Sequence, residues 1–153
     1  MKAFELKIPP VVLVVLFSLA MWLLAQWVPP LMQQVMWHIV LAGIFAISGI
    51  AVALAGVLAF RRANTTVDPR VPQQTSTLVI RGIYRYSRNP MYVGFLLLLA
   101  ALACFLMNAA AFALLPLFVW YINRFQIAPE ERFLLQKFGA DYQAYCENVR
   151  RWL

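Results

Sequence analysis

The chain has 153 residues, enough for one domain; 63% are hydrophobic and 12% are charged. A soluble domain carries about 25% charged residues, so the composition excludes an ordinary soluble fold and points to an integral membrane protein. The net charge of +7 does not imply nucleic acid, because basic residues beside apolar spans follow from the positive-inside rule.

In chain order, a basic start with Lys2 and Lys7 precedes an uncharged run from about Ile8 to Val28. At 1.5 Å per residue such a run crosses a hydrocarbon core of about 30 Å. Trp22 and Trp27 fall towards its far end, and Pro29-Pro30 stop it. A second span is expected from about Val35 to Phe60. Its Gly43, Gly49, Ala53 and Gly56 let helix backbones approach closely. Arg61-Arg62 close it. Residues 63–77 carry two prolines and many hydroxyl and amide side chains, a pattern of extended loop. They read either as a linker or as a strap along one membrane face. A third span is expected from Pro90 to about Met107, with Asn89 as N-cap and Pro90 at the first helical position. Asn108 makes a tight turn into a fourth span from Ala109 to about Ile127. The tail has Phe133, Leu134, Phe138, Tyr142 and Tyr145 at helical spacing, and Gly139 splits it in two.

The fold expected is therefore all-α and integral to the membrane: four transmembrane helices and a cytoplasmic C-terminal amphipathic helical segment. It divides into an N-terminal transmembrane hairpin, residues 1–62, and a core, residues 63–153, within one domain. All the lysines and arginines fall in the N-terminus, the segment 61–88, or from Arg124 onward. With four spans these share one side, and the positive-inside rule makes it the cytoplasm. Cys104 and Cys146 lack metal-ligand spacing, and His38 beside Trp37 reads as an interfacial side chain, so no metal is expected.

Chemistry concentrates on both flanks of the second hairpin. One flank holds Tyr84, Arg88, Asn89 and Tyr92; the other holds Arg124, Gln126, Glu130 and Glu131. An uncharged hairpin brings its two open ends together. Carboxylates there suit a cation or a ribose hydroxyl. Aromatic faces suit an adenine ring or a sulfonium, and a helix N-terminus suits an anion. Juxtamembrane arginines and tyrosines also serve simply as anchors.

Gly82-Ile83-Tyr84 followed by Arg88-Asn89-Pro90-Met91-Tyr92-Val93-Gly94 resembles the Gly-x-Tyr…Arg-His-Pro-x-Tyr-x-Gly signature of isoprenylcysteine carboxyl methyltransferases and their bacterial relatives. Glu130-Glu131…Leu134…Phe138-Gly139…Tyr142…Tyr145 resembles the second signature of that family. The resemblance covers roughly Thr65 to Val149, and the first two spans match only in being spans. It implies an S-adenosylmethionine-dependent membrane methyltransferase acting on a lipophilic acceptor, such as an isoprenylcysteine-like carboxylate or a lipid amine, that enters from the bilayer. Position by position it implies cofactor contacts at Leu78, Val79, Tyr84, Asn89, Pro90, Met91, Tyr92 and Glu130. Glu130 or Glu131 is the available base, Arg124 or Arg88 would position an anionic acceptor, and Gln126 with Arg88 would line the acceptor site. The family histidine is Asn89 here, and the arginine four residues before the glutamate is Gln126. The second departure bears on the acceptor more than on methyl transfer. A bacterial inner membrane is the expected location, with both termini cytoplasmic. The alternatives are a steroid-reductase-type membrane enzyme using NADPH and a non-catalytic membrane partner.

Overall fold

The computed structural model describes residues 5–31, 36–63 and 77–153. The strap expected over 63–77 lies almost wholly outside them. Among the described residues all regular structure is helical: α1 (Pro10–Ala25), α2 (Met36–Arg62), α3 (Pro90–Leu106), α4 (Ala109–Ile122) and α5 (Ala128–Asn148). A 3-10 turn, Gly82–Arg85, precedes α3, and a π turn, Asn123–Ile127, joins α4 to α5. Two helical runs are long and apolar enough to cross a membrane: α2, and the continuous run Ala109–Asn148. α1 and α3 are equally apolar but have 16 and 17 residues, about 25 Å of helix each.

α3 is the centre of the bundle. α2 packs along one side of it, while α1 and α4 pack on it and on each other. The α2–α3 seam depends on small residues. A Cβ placed on Gly94 would lie 2.7 Å from the Gly49 carbonyl oxygen and 2.8 Å from the Ala53 Cβ. One on Gly56 would lie 2.6 Å from the Met91 Cγ. These helices touch backbone to backbone, as membrane helices with small residues at the interface do. Across α1, α3 and α4 the buried residues are larger: Leu13, Met21, Leu99 and Phe118. Phe17 meets Phe118 edge to face, ring centres 5.3 Å apart.

The turn between α3 and α4 closes on itself and on α1. Met107 takes a left-handed conformation at φ 45° and ends α3. The Asn108 Oδ1 then accepts from the Ala110 amide at 3.0 Å and caps α4, while its Nδ2 donates to the Val28 carbonyl at 2.6 Å. The Leu31 amide donates to the Met107 carbonyl at 2.7 Å. The ion pairs of Glu5 with Arg124 and Arg132, and of Glu131 with Arg88 and Arg151, lie at the opposite end of the bundle, where the Leu6 amide also bonds the Phe125 carbonyl.

Two local expectations change. Asn89 occupies the N-cap position of α3 but its side chain does not cap; its Nδ2 donates to the Arg151 carbonyl at 2.9 Å instead. The fourth span also does not break before the tail. Pro129 has no N–H to give the Phe125 carbonyl four residues back, and the chain stays helical by passing through the π turn. The Leu6 amide supplies the missing donor to Phe125 at 3.1 Å. Gly139 does split α5, at φ 51° and ψ −122°.

Gly94→Val is expected to lower stability by about 2 kcal/mol or more, because the seam has no room for a side chain. Gly43→Ala, with nothing within 4 Å of its Cβ position, should not. Thermal melting in detergent distinguishes the two.

Candidate active site

The two flanks of the hairpin meet through side chains. Tyr92, on the first turn of α3, donates its hydroxyl to Glu130 Oε1 on the first turn of α5 at 2.6 Å. Tyr84, in the 3-10 turn, is buried beside them. The Tyr145 hydroxyl donates to the Tyr84 carbonyl at 2.7 Å, and Phe60 at the end of α2 packs edge-on against the Tyr84 ring at 5.3 Å. Pro90 is buried and Met91 lies on Gly56. Leu78 and Val79 are half-buried on the extended approach to the 3-10 turn. Tyr84, Tyr92, Glu130 and Tyr145 thus form one polar and aromatic cluster at the charged end of α3.

The electrostatics of the cluster follow from burial. Glu130 is pushed up to about 8, by desolvation first and by the Glu131 charge in addition, against the opposing Tyr92 hydrogen bond. Tyr84 is pushed well up by burial, then by Tyr145 and Glu130. A carboxyl held this way gains from any cation brought to it. The first turn of α3 has no side-chain cap; the Val93 amide bonds the Asn89 carbonyl at 3.1 Å.

Arg88 and Glu131 take another role. Arg88 Nη2 donates to Glu131 Oε1 at 2.9 Å, and Nη1 donates to the Cys146 and Val149 carbonyls at 3.1 and 3.2 Å. Arg151 holds the other Glu131 oxygen at 2.5 Å. The Arg88 amide donates to the Arg150 carbonyl at 3.0 Å. The pair therefore clamps the C-terminal segment over the start of α3. The side chains of Arg88 and Glu131 are only 13% and 18% exposed.

Arg124 and Gln126 do not join the cluster. Arg124 reaches Glu5 at 3.8 Å and lies over the Phe125 ring. Gln126 is fully buried, and its Nε2 donates to the Ile8 carbonyl at 2.8 Å. Both face the segment entering α1. A cleft in the elbow of α5, lined by Glu131, Leu135, Tyr142 and Cys146 among others, shares only Glu131 with the expected site. Sequence reasoning passed over Tyr145 as a partner of Tyr84, Arg151 as a partner of Glu131, and Trp152, whose Nε1 donates to Asn123 Oδ1 at 3.0 Å. Tyr145 was marked by its place in the second signature, whereas Arg151 and Trp152 were marked only by an aromatic and basic C-terminus. Among the described residues no group of His, Cys, Asp and Glu could hold a metal ion.

Residues 37–141 match the model of the phospholipid methyltransferase family. The chain belongs to that family. It is a membrane methyltransferase. The match takes in α2 as well as the hairpin, so the second span carries more of the family pattern than its small residues suggested. Protein-S-isoprenylcysteine O-methyltransferase A of Arabidopsis thaliana is 30% identical over 137 residues, 90% of this chain and 70% of that protein. The protein-S-isoprenylcysteine O-methyltransferase of Schizosaccharomyces pombe is 36% identical over 72 residues, 47% of this chain and 30% of that one. An uncharacterized protein of Haemophilus influenzae is 46% identical over 63 residues, 41% of this chain and all of that one. No solved structure matches.

In this methyltransferase the clamp and the cluster make separable predictions. Arg88→Gln should cost about 2–3 kcal/mol, since it leaves buried carbonyls and Glu131 short of a donor, and should expose the C-terminus to protease. Arg81→Gln, at an exposed position, should stay within about 0.5 kcal/mol. The Glu130 carboxyl gives a pH signature. Its folded value lies above the ordinary 4.5, near 8, so its proton is bound more tightly in the folded chain. Its stabilising contribution is full below pH 4.5 and is lost as pH rises through 8. Melting temperature should fall across that window, and Glu130→Gln should flatten the fall.

Proposed function

We propose that this methyltransferase takes its methyl group from S-adenosylmethionine, bound at the charged end of α3. The observation that carries the reading is the 2.6 Å bond from Tyr92 to Glu130, which joins the two signature segments in one cluster. Tyr84, Asn89, Pro90, Met91, Tyr92 and Glu130 would frame the cofactor, with Leu78 and Val79 on its apolar side. The residues fit: a carboxyl raised by burial draws a cation, and tyrosine faces accept a sulfonium.

When bound, the cofactor supplies a methyl group already activated on a sulfonium. The chain's part is to hold the acceptor in line and keep water away, which alone can account for much of a methyl transfer rate. Glu130, releasing its proton to solvent, would hold the positive charge of a bound cation. The C-terminal segment, clamped by Arg88 and Glu131, excludes water above α3. Both residues act here by positioning rather than by contact with the acceptor. Glu130 is the base available to an acceptor that must lose a proton.

The acceptor in this reading is lipophilic and enters from the bilayer; the matched relatives are named for an isoprenylcysteine substrate. Gln126, bonded to the Ile8 carbonyl, faces the segment entering α1 and lies away from the cluster. We read all four apolar helices as spans, with the charged end and both termini in the cytoplasm and the bacterial inner membrane as the location. The names of the relatives favour methyl transfer over a reductase using NADPH.

The test is calorimetric titration of S-adenosylmethionine into the detergent-purified protein. Saturable binding is expected, tightening as pH rises through 8, with at least about a tenfold loss in Glu130→Gln, the scale of a charge-assisted hydrogen bond. A folded protein that ignores millimolar S-adenosylmethionine but binds NADPH would overturn the reading.

A further inference from the structure

The segment before α1 is fastened to the α4–α5 junction by contacts that the methyl-transfer site does not use. Glu5 lies between two guanidinium groups, Arg132 Nη2 at 2.5 Å and Arg124 Nη1 at 3.8 Å. The Leu6 amide serves the Phe125 carbonyl that Pro129 leaves without a donor. The Ile8 carbonyl accepts from Gln126. Glu5 is 14% exposed, whereas Arg124 and Arg132 are 39% and 54% exposed. The two arginines therefore face outward at the end of the bundle where the apolar helices give way to charge.

The fastening is imperfect in two respects. Leu6 sits at φ 56°, in the left-handed region, which disfavours a side-chain-bearing residue. Gln126 Oε1 is buried with no hydrogen-bond partner, although buried polar atoms are nearly always satisfied. An exposed ion pair adds little to hold such a segment down. Beneath this segment the Arg124 and Arg132 guanidinium groups flank the Glu5 carboxylate.

We propose that Arg124 and Arg132 form a subsite for the phosphate of an anionic phospholipid headgroup at the membrane surface, and that Glu5 occupies it as an internal competitor. A phosphate reaching the pair displaces the Glu5 carboxylate, and the strap from Glu5 to Ile8 lifts. Water or a headgroup hydroxyl then takes the Leu6 place on the Phe125 carbonyl. A lipid is favoured over a soluble anion because the pair lies where α4 leaves its apolar stretch, at headgroup depth for a chain that spans the bilayer. The subsite does not depend on the cofactor assignment, only on placement in a membrane.

The experiment uses the full chain in a neutral detergent, titrated with a short-chain phosphatidylglycerol, the matching phosphatidylcholine, or inorganic phosphate. Binding is read by calorimetry, and release of the strap by hydrogen exchange at the Leu6 amide. Phosphatidylglycerol should bind better than phosphatidylcholine and speed exchange at Leu6. Glu5→Gln should tighten binding by about fivefold, and Arg132→Gln should weaken it by a similar factor, the scale of an exposed ion pair. Arg132 is exposed enough to be replaced without unfolding, so that arm stands even where Glu5→Gln loosens the chain. Equal binding of the two lipids, no change in Glu5→Gln, or an unchanged Leu6 amide at saturation would overturn the proposal. Inorganic phosphate reproducing the whole effect would overturn the lipid assignment.

Discussion

The start of α3 has to meet the start of α5, and the hydrogen bond from Tyr92 to Glu130 at 2.6 Å is where it does. These residues are separated by an entire helical hairpin. They meet because the far end is closed tightly: Met107 turns the chain in a left-handed conformation, and Asn108 both caps α4 and ties the turn to α1. An uncharged hairpin with a short turn has one geometry available, with its open ends side by side. The polar and aromatic cluster is thus the mechanical consequence of a turn at the opposite end of the bundle.

The small-residue seam is the second support. α2 approaches α3 so closely at Gly49 and Gly94 that neither position has room for a Cβ. The same helix ends in Phe60 against the Tyr84 ring and lays Gly56 under Met91. The back wall of the cluster is therefore set by backbone contact rather than by flexible side chains. Packing of this kind in a membrane does not rely on the hydrophobic effect, since lipid chains are as apolar as the helices.

At the α4–α5 junction a single proline organises both termini. Pro129 cannot supply the Phe125 carbonyl, and the π turn leaves that carbonyl for Leu6. Asn123, at the start of the same turn, takes the Trp152 indole. One end of the chain is then held by ion pairs to Arg124 and Arg132, the other by Arg88 and Glu131. Of the described arginines, Arg124 and Arg132 hold the N-terminal segment, Arg88 and Arg151 hold the C-terminal one, and Arg61, Arg62, Arg81 and Arg85 are exposed.

Much of the architecture was legible in the amino-acid order because its causes are local. Apolar runs bounded by Pro29-Pro30, Arg61-Arg62 and Asn89-Pro90 define the helices. Asn108 marks the hairpin turn, and Gly139 marks the elbow of α5, where φ is positive. The order of charge along the chain put the charged groups at one end. What only the tertiary structure decided was the partner of each polar group. Arg88 and Glu131 bind each other and the C-terminus rather than facing the cluster. Gln126, one helical turn before Glu130, and Arg124, two residues earlier, face the segment entering α1. Each step along a helix rotates a side chain by about 100°, and the π turn shifts the register by one more residue. Which residue faces the site thus depends on contacts between segments more than a hundred positions apart, such as Ile8 with Gln126, and no local pattern records them.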